Sequence, residues 1–240
     1  MLAAGPIQAP SIVLVHGVAA NRCAWLPLIA ELQSRYRLTA LDLYGHGANR
    51  SRFSLAAAVA AIGDLCREQN TPPTLVGWSL GGLLALRVVA DDPTIASSLV
   101  LTGATIQPGR ILGPLLVAAS LGHPLGDTRP ARRLAARLLA RRYGGAAQAM
   151  IACGVAPGDG LLALRDVGRE DWLGLASRVT VPVLIANGSR DRIARPAEPR
   201  FAAVMPQARV THIRAAGHLA PIERPAELAA AIDGFLRRVL

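Results

Sequence analysis

The chain has 240 residues, 52% apolar and 4% aromatic, which suits one α/β domain with a modest insertion and a core of Leu, Val, Ile and Ala. Its charge is +10, and every one of the 26 basic residues is Arg, so compositional bias accounts for the sign without an anionic partner. No apolar run approaches the roughly 18–20 residues of a membrane-crossing helix, and Met1 to Gln8 lack a secretory pattern, so the expectation is a cytoplasmic protein with no membrane span.

In chain order, residues 11–16 form a short apolar run that ends at Gly17 and reads as a buried strand. Residues 25–34 are helical in pattern. Residues 38–42 are a second strand, closed by the loop Tyr44-Gly45-His46-Gly47. Residues 55–69 predict a helix, stopped by Thr71-Pro72-Pro73. Residues 74–78 predict a strand, 80–91 a helix, and 98–101, 181–186 and 210–213 three further strands, with a closing helix at 226–239. This alternation implies an α/β fold with a mostly parallel sheet and helices on both faces. The alternation stops between residues 106 and 178, where Leu, Ala and Arg dominate. That stretch reads as a helical cap inserted into a core made of residues 1–105 and 179–240. Cys23, Cys66 and Cys153 are odd in number and widely spaced, which predicts three reduced, structural thiols. No Cys/His cluster has metal-ligand spacing, so no metal or organic cofactor is expected.

Val76 to Gly82 reads V-G-W-S-L-G-G and contains Gly77-x-Ser79-x-Gly81 between an apolar strand and an apolar helix. A turn this tight puts its central residue in a strained backbone and leaves no room for side chains two positions away. Ser79 then stands at a helix N-terminus, where the dipole and the Leu80 N–H favour developing negative charge. A phosphate-binding loop is the competing reading, but no Lys follows and the spacing is wrong.

Serine needs a base to take its proton. Of His16, His46, His123, His212 and His218, the last lies late in the chain, in a loop after the final short strand, where it can reach Ser79. His212 falls inside a strand. Asp191 is the first carboxylate after the strand at 181–186 and is the candidate acid. The position after residue 101 offers Thr102-Gly103-Ala104 and no carboxylate. An oxyanion needs two N–H donors, and these are expected from Val18 and Leu80. Gly17 permits close approach and His16 braces the loop. Trp78, His16 and Gly17 are the candidate substrate-binding positions. In the predicted cap, residues 129–142 hold six arginines and no acid. Arg133, Arg137 and Arg141 share one helical face, opposite Leu134 and Leu138. The bland explanation is a solvated face in an arginine-only chain. The functional one is a docking surface for an acidic partner. Stacking aromatics are absent from the stripe, which argues against nucleic acid.

Together, His16-Gly17, Asp42 to Gly47, Gly77 to Gly82, Gly188 to Asp191 and Gly217-His218 resemble the α/β-hydrolase superfamily. The small size, the Gly-Trp-Ser-Leu-Gly-Gly elbow, the single cap and Gly-His-x-x-Pro are most similar to the pimeloyl-acyl-carrier-protein methyl ester esterases of biotin synthesis. Tyr44 stands where many relatives carry Pro, and the usual antiparallel first hairpin is expected to be shortened or missing. The resemblance implies a serine carboxylesterase that hydrolyses a medium-chain acyl methyl ester, with an acyl carrier protein as partner; a monomer is expected. A broad small-molecule esterase, lactonase or thioesterase, and a non-catalytic ligand receptor on the same scaffold, are the alternatives.

Overall fold

The computed structural model describes residues 1–107, 129–154 and 160–240. Seven strands form one sheet: β1 (Leu2–Ala4), β2 (Ser11–Val15), β3 (Arg37–Ala40), β4 (Thr74–Trp78), β5 (Ser98–Thr102), β6 (Val183–Gly188) and β7 (Ala208–Ile213). Their spatial order is β1-β3-β2-β4-β5-β6-β7. Six strands run parallel. Only β1 is antiparallel, pairing with β3 from Leu2↔Ala40 to Ala4↔Leu38. The usual antiparallel first hairpin is thus present as one three-residue edge strand.

Strands β2, β4, β5 and β6 are buried along their whole length, as continuous apolar strands covered on both faces must be. Their residues alternate between two cores. Val13, Val15, Leu75, Leu99 and Leu101 face α2 (Leu55–Arg67) and α3 (Leu80–Asp91). Ile12, Leu14, Val76 and Val100 face α1 (Leu26–Leu32) and the closing helix, along with Trp25 and Phe235. The register pairs Val15 with Gly77 and Trp78 with Thr102. The carboxyl ends of β2, β4 and β5 therefore lie side by side, and the loops that follow them share one edge.

Between β5 and β6 come α4 (Arg129–Ala152), α5 (Gly160–Val167) and α6 (Trp172–Ala176). Helix α4 breaks at Gly144, where φ is 61°. Its C-terminal end is fastened to the core. Buried Asn21 donates from Nδ2 to the carbonyls of Met150 (2.7 Å) and Gly154 (2.9 Å), while its Oδ1 accepts from Cys23 N–H. Beside it, Cys23 and Cys153 form a disulfide. This corrects the expectation of three free thiols: Cys66 alone is free, and it is buried. The partners are 130 residues apart, so only the packing of α4 on the core brings them together. A second tie joins Arg87 of α3 to Glu170, at 2.9 Å.

After β6 come α7 (Glu198–Val204), β7, α8 (Ala220–Glu223) and α9 (Pro225–Val239). Helices α7 and α8 are short and carry Pro in their first turn, which hid them from a periodicity reading. Among the described residues no helix is long and apolar enough to cross a membrane.

Candidate active site

Ser79 sits between β4 and α3 with φ 52° and ψ −118°, a conformation that L-residues avoid unless the surroundings force it. The surroundings here are glycine. A Cβ on Gly77 would lie 2.4 Å from Gly82 Cα, and one on Gly81 would lie 2.2 Å from the Val15 carbonyl oxygen. Ser79 N–H donates to the Thr102 carbonyl at 2.9 Å, which ties the elbow to the end of β5.

Three side chains from three loops meet here. The Ser79 hydroxyl donates to His218 Nε2 at 3.0 Å. His218 Nδ1–H donates to Asp191 Oδ2 at 3.0 Å. The other oxygen of Asp191 accepts the N–H groups of Ile193 (2.8 Å) and Ala194 (3.0 Å). Asp191 is 2% exposed. Burial pushes its pKa up. Hydrogen bonding to His218, the charge of His218 and the two amides more than offset that push and hold the carboxyl below the ordinary range. A serine hydroxyl, an imidazole and a buried carboxylate thus stand in one line of hydrogen-bond contacts.

The other predicted residues fall around this line. Gly17 approaches Ser79 so closely that a Cβ on it would stand 3.3 Å from Ser79 Cβ. Val18 follows in a turn closed by Ala20 N–H to Gly17 O, and no acceptor among the described residues takes its N–H. Leu80 is the first residue of α3, so its N–H has no partner within the helix. His16 is completely buried. Its Nδ1–H donates to the Gly17 carbonyl at 2.8 Å and its Nε2 accepts from Leu43 N–H at 3.1 Å. Burial lowers its pKa to about 4, so at neutral pH it is an uncharged brace between the β2 and β3 loops. Its hydrogen bonds go to backbone, and its ring lies against the His46 ring with centroids 5.3 Å apart.

Trp78 has a different surrounding from the one expected of a substrate-binding residue. It is 4% exposed and packs in the second core beside Val76, because side chains two apart on a strand share a face. Its indole N–H donates to the His218 carbonyl at 2.8 Å, so it supports the loop that carries the imidazole. Arg137 and Arg141 are exposed on α4, whereas the side chains of Arg133, Leu134 and Leu138 and the whole of His123 lie outside the described residues. No cluster of metal-ligating side chains occurs among the described residues.

The sequence profile of the alpha/beta hydrolase family matches residues 12–231, a span that includes Ser79, Asp191 and His218. The chain belongs to the alpha/beta hydrolase family. The hydrolase is 30% identical over 205 residues to the pimeloyl-[acyl-carrier protein] methyl ester esterase of Neisseria meningitidis serogroup C, covering 80% of this chain and 79% of that protein. A stretch of 94 residues, 37% of this chain, is 37% identical to the magnesium-chelatase 30 kDa subunit of Rhodobacter capsulatus, but covers only 33% of it. The solved structure of E-2-(acetamidomethylene)succinate hydrolase superposes with a TM-score of 0.82 at 22% identity, over 98% of this chain and 93% of that one. At that identity the likeness is one of fold.

Proposed function

We propose that this hydrolase is a serine carboxylesterase that works through an acyl-enzyme. The observation that carries the reading is the unbroken contact from Ser79 to His218 to Asp191, 3.0 Å at each step. Ser79 Oγ attacks the ester carbonyl while His218 Nε2 takes its proton. Asp191 holds the imidazole in the required tautomer and stabilises the imidazolium. The N–H groups of Leu80 and Val18 receive the tetrahedral oxyanion. His218 then protonates the departing alcohol, and a water activated by the same imidazole releases the acid. In this reading the described helices α4, α5 and α6, which come between β5 and β6, belong to a cap.

The substrate we infer is an acyl methyl ester carried on an acidic acyl carrier protein. The printed activity of the Neisseria relative supports this, as does the exposure of Arg137 and Arg141 on one side of α4. The test has two arms. Ser79→Ala should abolish turnover of p-nitrophenyl butyrate and labelling by a fluorophosphonate. Slow release that is equal in wild type and the folded Ser79→Ala variant ends the serine-esterase reading and favours a receptor. Replacing Arg133, Arg137 and Arg141 with Glu should raise KM for a carrier-bound methyl ester and leave p-nitrophenyl butyrate unaffected. An equal response of both substrates ends the carrier proposal and leaves a small-molecule esterase, lactonase or thioesterase.

A further inference from the structure

Behind the acid and base lies a buried polar chain that the reaction scheme above does not use. Its centre is Asn187, next to last in β6 and 0% exposed. The Asn187 carbonyl oxygen accepts from Gly103 N–H at 2.8 Å. Its amide nitrogen donates to Thr105 Oγ1 (2.8 Å) and to Glu198 Oε2 (2.7 Å). Glu198, 6% exposed, accepts at its other oxygen from His212 Nε2 on β7, at 2.7 Å. Thr105, also fully buried, donates a hydrogen bond from its hydroxyl to the Ala194 carbonyl at 2.9 Å. Ala194 N–H in turn holds Asp191 Oδ1. Both protons and the oxygen of the Asn187 amide are engaged, so nothing in this desolvated group is left unpaired.

The stretch this amide grips touches all three members of the relay. Thr102 O accepts the Ser79 N–H. Gly103, with φ 60°, lies beneath the imidazole, where a Cβ would stand 3.2 Å from both His218 Nδ1 and Cε1. Thr105 reaches Asp191 through Ala194. If the segment slackens, the elbow, the floor under the base and the support of the acid slacken together. We infer that Asn187, held in its orientation by Glu198, is a positioning residue that sets the register of the β5 loop against Ser79, His218 and Asp191. A structural role alone could be filled by a well-packed apolar side chain. Here a satisfied polar network fixes one geometry in which loops from β4, β5, β6 and β7 agree.

This inference rests on the serine relay proposed above, and the experiment separates the two. Ser79→Ala tests the relay alone, and loss of turnover there leaves the network question open to its own variants. Asn187→Leu removes all three bonds at similar volume. It should lower kcat on p-nitrophenyl butyrate by on the order of 100-fold, as a displacement of reacting groups does, with KM within about twofold of wild type. The rate of Ser79 labelling by the fluorophosphonate should fall in parallel. Glu198→Gln keeps an acceptor for Asn187 and should stay within about threefold of wild type, whereas Glu198→Leu should behave like Asn187→Leu. Should Asn187→Leu fail to fold, Thr105→Val deletes one link at constant shape and should lower kcat about tenfold with KM unchanged. Circular dichroism establishes the fold of each variant. Wild-type kcat in folded Asn187→Leu or Thr105→Val, a loss confined to KM, or equal damage from Glu198→Gln and Glu198→Leu would each overturn the inference.

Discussion

Reduction of the Cys23–Cys153 disulfide should lower stability steeply, and the size follows from the topology. The bond joins residues 130 positions apart, with Cα atoms 6.3 Å from each other. Closing a loop of that length removes enough unfolded-state entropy to be worth about 5 kcal/mol in the chain-entropy treatment, and measured disulfides give about 2–5 kcal/mol. For a chain of this size each kcal/mol moves Tm by about 2–4 °C, so reduction should lower Tm by about 4–20 °C. The fold itself should survive, because the Asn21 bonds to Met150 and Gly154 hold the same joint without the sulfurs. The assay compares thermal unfolding of oxidised protein, protein treated with a phosphine reductant, and Cys23→Ser. Thiol titration in denaturant should find one free group before reduction and three after. Denaturant is required because burial pushes the Cys66 thiol up to about 12 and hides it. Cys66→Ser serves as the control and should leave the effect of the reductant intact. Three titratable thiols in untreated protein would refute the reasoning, as would equal Tm with and without reductant.

Two further outcomes are expected. His16 has a folded pKa of about 4, down from 6.5, because burial disfavours its charged form. Between those values the unfolded chain binds a proton that the folded chain refuses. Stability should therefore fall as pH drops from about 6.5 toward 4, by about 2–3 kcal/mol at pH 4.5. Urea midpoints at pH 7.5 and 4.5 measure this, and His16→Gln should flatten the difference; an unchanged slope in that variant would remove His16 as its cause. Gly77→Ala should abolish activity and destabilise the fold by several kcal/mol, since its methyl would meet the Gly82 backbone at 2.4 Å, where nothing flexible can yield. Wild-type melting of that variant would contradict the account of the elbow.

The elbow was legible because its signal is local. Residues 74–78 and 80–91 are an uninterrupted strand and helix, and the observed bounds of β4 and α3 coincide with them. His218 and Asp191 were legible by chain order and by their position after strands. What escaped the reading depends on distant partners. Nothing near Cys23 marks Cys153 as its neighbour, and a three-residue strand such as β1 is too short to show a period. Trp78 stood among the candidate substrate-binding positions, yet strand alternation turns it into the second core with Val76. Asn187 fell just past the strand expected at 181–186 and drew no role, since its three partners come from positions 103, 105 and 198.

The site stands where it does because parallel strands in register deliver their loops to one edge, and the loops can meet only if the strand ends are small. Gly17, Gly77, Gly103 and Gly188 lie within two residues of the ends of β2, β4, β5 and β6. A Cβ on Gly188 would stand 2.2 Å from the Gly217 carbonyl oxygen, so the loop bearing His218 crosses directly over the end of β6. Ser79 N–H reaches Thr102 and Ser189 N–H reaches Ile213 in the same way, each strand end bonding to the strand or loop beside it. The edge is thus a row of backbone contacts with little side-chain padding, and the few polar side chains it admits, Asn187 among them, carry the alignment. That places the tolerance of the fold and the tolerance of the site on different residues. The apolar faces of α2 and α3 can exchange one aliphatic residue for another of like volume, whereas this edge leaves no such freedom.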